Sequence, residues 1–376
     1  MTRAASEYVS QRARSVDASG IRKVFDLAAA MPDPINFSIG LPDFDVPDPA
    51  KAAAIDAIQR GDNRYTPTQG IQPLREKIAA EHGVDAGNVF ITSGVSGGIF
   101  LSILACVDPG DEVVFLDPYF VMYQHLVKMA GGVPVPVDSY PDFRFDADKV
   151  EAAITPRTKL LILNTPANPT GVTMSEDEVD AAVRLAEKHD LMLVSDEIYV
   201  PFVYGDAADV PSISTKYEKT ILLRGFSKTY GMTGWRLGYA AGPKEIIEQM
   251  IKLQQYTYVC APSPFQHAAL AAMDLSVDDA VAAYRVKRDI VVEELGSAFE
   301  LPELGGAFYA FPKVPEHLGQ TATEFCESAI KHNVLVIPGS VFSRKDTHFR
   351  ISYAVTDDKL REGCQILKTM TALATA

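Results

Sequence analysis

The residues best suited to chemistry lie in a glycine-rich stretch that contains Lys228 and Arg236. The stretch follows strand-like residues at 220–223, and its glycines indicate a sharp bend of the chain. Burial beside another cation would lower the pKa of Lys228, and the neutral amine could then form a Schiff base with an aldehyde. The planar guanidinium of Arg236 suits a phosphate group. Alternatively, Lys228 is solvated, as most lysines are.

Two further patterns place polar groups beside strands. Residues 89–92 read as a strand, 93–98 as a glycine-rich turn and 99–107 as an apolar helix. Backbone N–H groups at such a turn can converge at a helix N-terminus and bind phosphate. Asp196 ends the buried strand 191–195, and in an open α/β sheet that position faces the ligand crevice. Asp196 could otherwise be a turn or cap residue.

The run 227–239, S-K-T-x-G-x-x-G-W-R-x-G-Y, resembles the cofactor-lysine signature of the class I/II aminotransferases. These are pyridoxal-phosphate enzymes of fold type I, in the aspartate aminotransferase superfamily. The resemblance covers nearly the whole chain and includes, in the family's order, Y-T-P-x-x-G at 65–70, N-P-T-G at 168–171, D-E-x-Y at 196–199 and F-R-I-S-Y-A at 349–354.

The resemblance implies a set of residues that bind pyridoxal 5'-phosphate. Lys228 holds it as a Schiff base and moves protons, and Asp196 keeps its pyridine nitrogen protonated. Asn168 and Tyr199 donate hydrogen bonds to its 3'-oxygen, and Phe120, with Tyr119 as second choice, stacks on its ring. The implied phosphate-binding residues are Gly94, Val95, Ser96, Ser227, Arg236 and a Tyr65 that reaches across from a second subunit. Lys228, Asp196 and Tyr199 are the expected catalytic residues.

The same resemblance implies how substrate binds. Arg350 binds the α-carboxylate as a bidentate pair, Gly40 offers a backbone donor, and Asn168 also lies at the substrate. Val95 and Ser96 occupy the turn where some aspartate-specific members place a lysine. This difference favours neutral or aromatic amino acids over aspartate as donors.

Alternating strands and helices predict an α/β fold. By resemblance, the large domain, residues 41–277, contains a mostly parallel seven-stranded sheet. Residues 1–40 and 278–376 would form an N-terminal arm and a small α+β domain. The expected protein is a homodimer with active sites at the interface, and it moves an amino group from an L-amino acid to a 2-oxo acid by a ping-pong mechanism. The alternative is a fold type I lyase of the C–S β-lyase type.

Composition restricts the partners and the compartment. The formal net charge of −14 argues against nucleic acid and anionic membranes as partners. The four cysteines are far apart without C-x-x-C spacing, and the histidines show no metal-binding spacing, so no metal site is predicted. No window is apolar enough to span a bilayer, which predicts a cytoplasmic protein.

Overall fold

The computed structural model describes residues 3–17, 20, 24, 31–205 and 212–373. Of the predicted N-terminal arm, residues 1, 2, 18, 19, 21–23 and 25–30 lie outside this description. The strands are β1 Ile35–Asn36, β2 Val89–Ser93, β3 Glu112–Asp117, β4 Val133–Asp138, β5 Thr158–Asn164, β6 Met192–Asp196, β7 Thr220–Gly225, β8 Leu237–Ala241, β9 Tyr309–Ala310, β10 Val334–Leu335, β11 Ile337–Pro338 and β12 Phe349–Ser352.

The predicted seven-stranded, mostly parallel sheet is confirmed. Its strand order is β2-β8-β7-β6-β5-β3-β4, and β8 runs antiparallel to both of its neighbours while the other adjacent pairs are parallel. Since β2 and β7 are both antiparallel to β8, they run in the same direction as each other. The carboxyl ends of β2, β3, β5, β6 and β7 therefore meet at one edge, together with the amino end of β8.

Helices cover both faces of this sheet. The helices of the described residues, including those outside this sheet, are α1 Gln11–Arg14, α2 Asp48–Arg60, α3 Gln72–His82, α4 Gly94–Cys106, α5 Met122–Ala130, α6 Ala147–Ala153, α7 Glu176–His189, α8 Phe226–Thr229, α9 Lys244–Gln255, α10 Ser263–Ala272, α11 Asp278–Leu295, α12 Ala322–Lys331 and α13 Asp357–Leu373. Successive buried residues of β5 pack into different apolar clusters, Leu160 and Ile162 into one and Leu161 and Leu163 into another. A strand buried on both faces is typical of a parallel sheet between helices.

The helix after β2 begins earlier than the sequence predicts. The turn expected over 93–98 is wrong beyond Ser93, because α4 starts at Gly94. The helix packs tightly on the sheet, and a Cβ built on Gly98 would lie 2.9 Å from Leu223. Glycine at this position therefore permits close packing of the helix on β7 and does not form a turn. The N–H groups of Gly94, Val95 and Ser96 consequently belong to the first turn of a 13-residue helix.

Short strands from both ends of the chain form two further sheets. Ile35 and Asn36 of β1 pair in parallel with Val334 and Leu335 of β10. The order of the other sheet is β11-β12-β9, with antiparallel neighbours. These pairings place residues 35–36 beside the C-terminal part of the chain, whereas the division into domains at 41 and 277 stays a prediction.

Candidate active site

A cavity of about 310 Å³ lies at the sheet edge where the parallel strands end. Of the predicted site residues it is lined by Gly40, Val95, Ser96, Phe120, Asn168, Asp196, Tyr199, Ser227, Lys228, Arg236 and Arg350. The topology explains this convergence. Val95 and Ser96 follow β2, Asp196 ends β6 and Lys228 follows β7, while Arg236 directly precedes the antiparallel β8.

Lys228 extends from the short helix α8 into the cavity. Its Nζ donates a hydrogen bond to the backbone carbonyl of Gly40, at 2.5 Å. Desolvation, followed by repulsion from Arg350 and Arg236, lowers the pKa of Lys228 to about 7. Near neutral pH a large fraction of this lysine is therefore a neutral amine, which is the nucleophilic form.

Arg236 and the first turn of α4 form an anion-binding corner. Arg236 has a left-handed backbone with φ 55°, and its Nη1 donates to the carbonyl of Thr233 at 3.0 Å. Gly94 also has positive φ, and a Cβ built on it would lie 2.5 Å from Nη2 of Arg236. Only glycine lets the guanidinium approach the helix this closely. A cation beside a helix N-terminus favours a bound anion.

Asp196 is 2% exposed at the end of β6. Its Oδ2 accepts a hydrogen bond from the hydroxyl of Tyr123 at 2.7 Å. Burial raises the pKa of Asp196 to about 6, although the Tyr123 hydrogen bond opposes this shift. Tyr123 was not among the predicted site residues, and its only signal in the sequence is its place in an aromatic run after β3.

Arg350 is a buried cation, 2% exposed, on β12. Its Nη1 donates to Oδ1 of Asn168 at 3.0 Å and its Nη2 to the carbonyl of Ser38 at 2.6 Å, whereas its Nε is buried without a partner. No carboxylate of the described residues lies within ion-pair distance of Arg350. A buried guanidinium in this state is suited to a carboxylate that arrives with a ligand.

Tyr199 lies opposite a tyrosine that the sequence did not indicate. The hydroxyls of Tyr199 and Tyr309 are 2.9 Å apart, and burial raises the pKa of each phenol above its usual value. Both tyrosines line the cavity. The sequence around Tyr309, 307–311, reads A-F-Y-A-F. Nothing in that pattern shows which of its aromatic residues reaches the site.

Of the two aromatic residues after β3 that were considered for stacking on the cofactor ring, one lines the cavity. Phe120 lines the cavity, whereas Tyr119 packs in the core against Phe115, with ring centroids 5.0 Å apart. Tyr65, the other predicted aromatic residue, is 83% exposed and does not line the cavity of its own chain. Its predicted role therefore requires a second subunit.

Leu41, Ile99, Asn164, Ile198, Thr233 and Tyr309 complete the lining of the cavity and were not predicted as site residues. In the described part of the chain, no group of three or more His, Cys, Asp or Glu side chains could hold a metal ion. Across residues 3–17, 31–205 and 212–373, no helix is both long enough and apolar enough to cross a membrane.

Together, the doubly covered sheet and this cavity define an α/β enzyme that combines an amine nucleophile with an anion-binding helix end. The family is shown by comparison. The family model described as aminotransferase class I and II matches residues 32–367, and the chain belongs to that family. It is an enzyme, an aminotransferase.

Relatives support the same activity over nearly the full length. The chain is 37% identical to a probable aspartate aminotransferase of Methanocaldococcus jannaschii, over 96% of this chain and 99% of the relative. It is also 37% identical to aromatic-amino-acid aminotransferase 2 of Thermococcus litoralis, over 94% of this chain and 96% of the relative. A solved aspartate aminotransferase of Thermus thermophilus with maleate superposes with a TM-score of 0.92 at 34% identity, over 96% and 99% of the two chains. These relatives do not favour the lyase alternative.

Proposed function

We propose that this aminotransferase uses pyridoxal 5'-phosphate, held by Lys228 as a Schiff base, and transfers an amino group from an L-amino acid to a 2-oxo acid by a ping-pong mechanism. The observation that carries the proposal is the position of Lys228 in a cavity with Arg236 and the N-terminus of α4, where desolvation lowers the pKa of its amine to about 7. When bound, pyridoxal 5'-phosphate supplies an aldehyde that combines with amines and a ring that accepts electrons from the substrate.

The residues present fit the phosphate of this cofactor. Arg236 brings a guanidinium to the first turn of α4 over Gly94, where a Cβ would block it. Ser96 and Ser227, which also line the cavity, supply hydroxyl donors. Val95 contributes its backbone N–H in the same first turn. These groups would together bind the doubly charged phosphate of the cofactor.

The opposite wall fits the pyridine ring. Asp196 would hold a proton on the ring nitrogen, and that cation would in turn favour the ionised carboxylate. Oδ1 of Asn168 already accepts from Arg350, so its amide N–H groups are the ones left to donate to the 3'-oxygen. Tyr199 would donate to the same oxygen, and Phe120 would pack on the ring.

Lys228 and Arg350 would act on the substrate. The guanidinium of Arg350 binds the α-carboxylate, and its partnerless Nε supports this assignment. Gly40 lies beside this carboxylate site as a backbone donor. The Nζ of Lys228 would take the proton from the substrate α-carbon and deliver it to the cofactor carbon that carried the aldehyde, which lies on the other side of the transferred nitrogen. An amine with a pKa near the working pH suits both directions of this transfer.

We propose neutral or aromatic amino acids as donors. Lys228, Arg236 and Arg350 are the lysine and arginine residues in the described lining, and each has another role. Val95 and Ser96 occupy the turn where some aspartate-specific members of the family place a lysine, and Leu41 and Ile99 add apolar surface. The named relatives include both an aspartate and an aromatic-amino-acid enzyme, so either donor class occurs among similar proteins.

We also propose a cytoplasmic homodimer with active sites at its interface and with large and small domains divided at residues 41 and 277. The exposed Tyr65 supports the dimer, since it is not part of the lining of the Lys228 cavity in its own chain. All four cysteines are free thiols, which supports a reducing compartment.

The test is the absorbance of the purified protein with bound cofactor. A yellow band should disappear with single neutral or aromatic amino acids and return with a 2-oxo acid. Borohydride reduction followed by peptide mass spectrometry should place the cofactor on Lys228. Lys228→Ala should lose the yellow band, and the control Lys313→Ala should keep it, because Lys313 forms an ion pair with Glu316 at the surface. A protein that stays colourless with the cofactor, or cofactor found on another lysine, would contradict the proposal.

A further inference from the structure

Tyr309 contacts three groups of the site at once. It is 1% exposed, and its hydroxyl lies 2.9 Å from that of Tyr199. Its ring faces the guanidinium of Arg350, with Cζ of the arginine 4.7 Å from the ring centroid. It also packs on Gly40, where a Cβ would lie 1.9 Å from the Tyr309 oxygen. One buried side chain thus contacts Tyr199, which is proposed to bind the cofactor, and Arg350, which is proposed to bind the substrate. It also contacts Gly40, whose carbonyl accepts the hydrogen bond from Lys228.

A bound ligand would decide which hydroxyl donates in the hydrogen bond between Tyr199 and Tyr309. Each phenol has one proton to donate. If Tyr199 donates to an oxygen of the cofactor, the hydrogen bond between the two tyrosines must run from Tyr309 to Tyr199. A bond accepted by Tyr199 polarises its own O–H and strengthens its donation. Burial holds the pKa of both phenols high, so both remain donors through the neutral range.

The ring contact acts on Arg350. Its guanidinium contacts the rings of both Tyr309 and Phe342, each with its centroid 4.7 Å from Cζ. Aromatic faces attract a cation and exclude water from it. Hydrogen bonds to Asn168 and Ser38 fix two of the nitrogens, and the two rings fix the plane of the group. The edge that carries Nε is thereby held ready for a carboxylate.

We propose that Tyr309 is a positioning residue with two separable actions, one through its hydroxyl on Tyr199 and one through its ring on Arg350. This inference rests on the proposed function, since it concerns the same cofactor and substrate carboxylate. The hydroxyl strengthens the hydrogen bond from Tyr199 to the 3'-oxygen and thereby lowers the pH at which the bound cofactor titrates. The ring keeps Arg350 in the plane in which a carboxylate binds.

Other ionisable groups face this arrangement and are left in place by the test. Those that line the cavity with Tyr309 are Asp196, Tyr199, Lys228, Arg236 and Arg350, and Tyr123 contacts Asp196 from α5. The phenol of Tyr309 is neutral near pH 7 in this site, so replacing it with phenylalanine changes no formal charge. A shift in titration then reports the lost hydrogen bond.

The experiment compares Tyr309→Phe with Phe342→Leu in the holoenzyme. The first reading is the pH midpoint of the cofactor absorbance, and the second is the Kd of the unreactive carboxylate 3-phenylpropionate. Tyr309→Phe keeps the ring, so the midpoint should rise by about half a pH unit with little change in Kd. Phe342→Leu removes a ring from Arg350 but keeps an apolar side chain in the core cluster around Phe311, so Kd should rise about fivefold at an unchanged midpoint. Tyr309→Leu should change both.

The outcomes separate this inference from the function on which it rests. If the wild-type protein shows no cofactor absorbance, the proposed function fails. If the wild-type cofactor titrates and Tyr309→Phe has the same midpoint, the hydroxyl action is overturned. If Tyr309→Leu binds 3-phenylpropionate as tightly as Tyr309→Phe does, the ring action is overturned.

Discussion

Replacing Asp196 with asparagine should stabilise the protein without cofactor while removing its activity. Burial raises the pKa of Asp196 from 3.8 to about 6. The unfolded chain releases this proton at lower pH than the folded chain, so ionisation costs the folded state free energy as pH rises. The difference of about two pKa units corresponds to roughly 3 kcal/mol. An asparagine at this position would carry no such cost and could still accept the hydrogen bond from Tyr123.

The assay is urea unfolding of the cofactor-free protein between pH 4 and pH 8. The free energy of unfolding of Asp196→Asn should equal that of wild type near pH 4, exceed it increasingly towards pH 6, and then stay about 3 kcal/mol higher. Asp108→Asn, in an exposed turn, is the control and should show no such trend. If wild type were as stable as Asp196→Asn at pH 8, the inferred cost of the buried carboxylate would be wrong. Activity of the variant should fall by at least about a hundredfold, since the ring nitrogen would lose its anionic partner.

Three other predictions concern the cations and the helix end. The lowered pKa of Lys228 predicts that, in the cofactor-free protein, its reaction with trinitrobenzenesulfonate rises as pH increases through about 7; a midpoint near that of a solvated lysine would contradict the argument. Gly94→Ala should weaken cofactor binding about tenfold or more, because a Cβ would lie 2.5 Å from the Arg236 guanidinium. The control is Gly234→Ala, which has no atom within 4 Å of its Cβ and should bind the cofactor as wild type does. If both variants bound the cofactor with equal affinity, the close approach of Arg236 to Gly94 would not matter for binding. Arg350→Leu should raise KM for amino acids by about a hundredfold or more at constant cofactor affinity, and an unchanged KM would exclude this arginine as the carboxylate site.

Local pattern alone could place two cavity residues, Asp196 and Lys228, together because each follows a strand end, whereas most other site residues were assigned by the family resemblance. Asp196 closes an apolar run, and Lys228 follows another after a few residues, so parallel strands bring both to one edge of the sheet. The start of α4 was predicted less well, since Gly97 and Gly98 read as a turn. Gly98 instead permits close packing of α4 on Leu223 of β7, which depends on a neighbour that local sequence does not show.

The sequence alone determined the strand–helix alternation and the residues that carry charge or nucleophilic groups, because both depend on local pattern and side-chain chemistry. The tertiary structure decided which of them touch. Tyr123 bonds to Asp196 across 73 positions of the chain, Tyr199 to Tyr309 across 110, and Arg350 to Asn168 across 182. Such contacts depend on how whole elements pack and on the rotamers that packing permits, whereas strand periodicity specifies only the face on which a side chain lies.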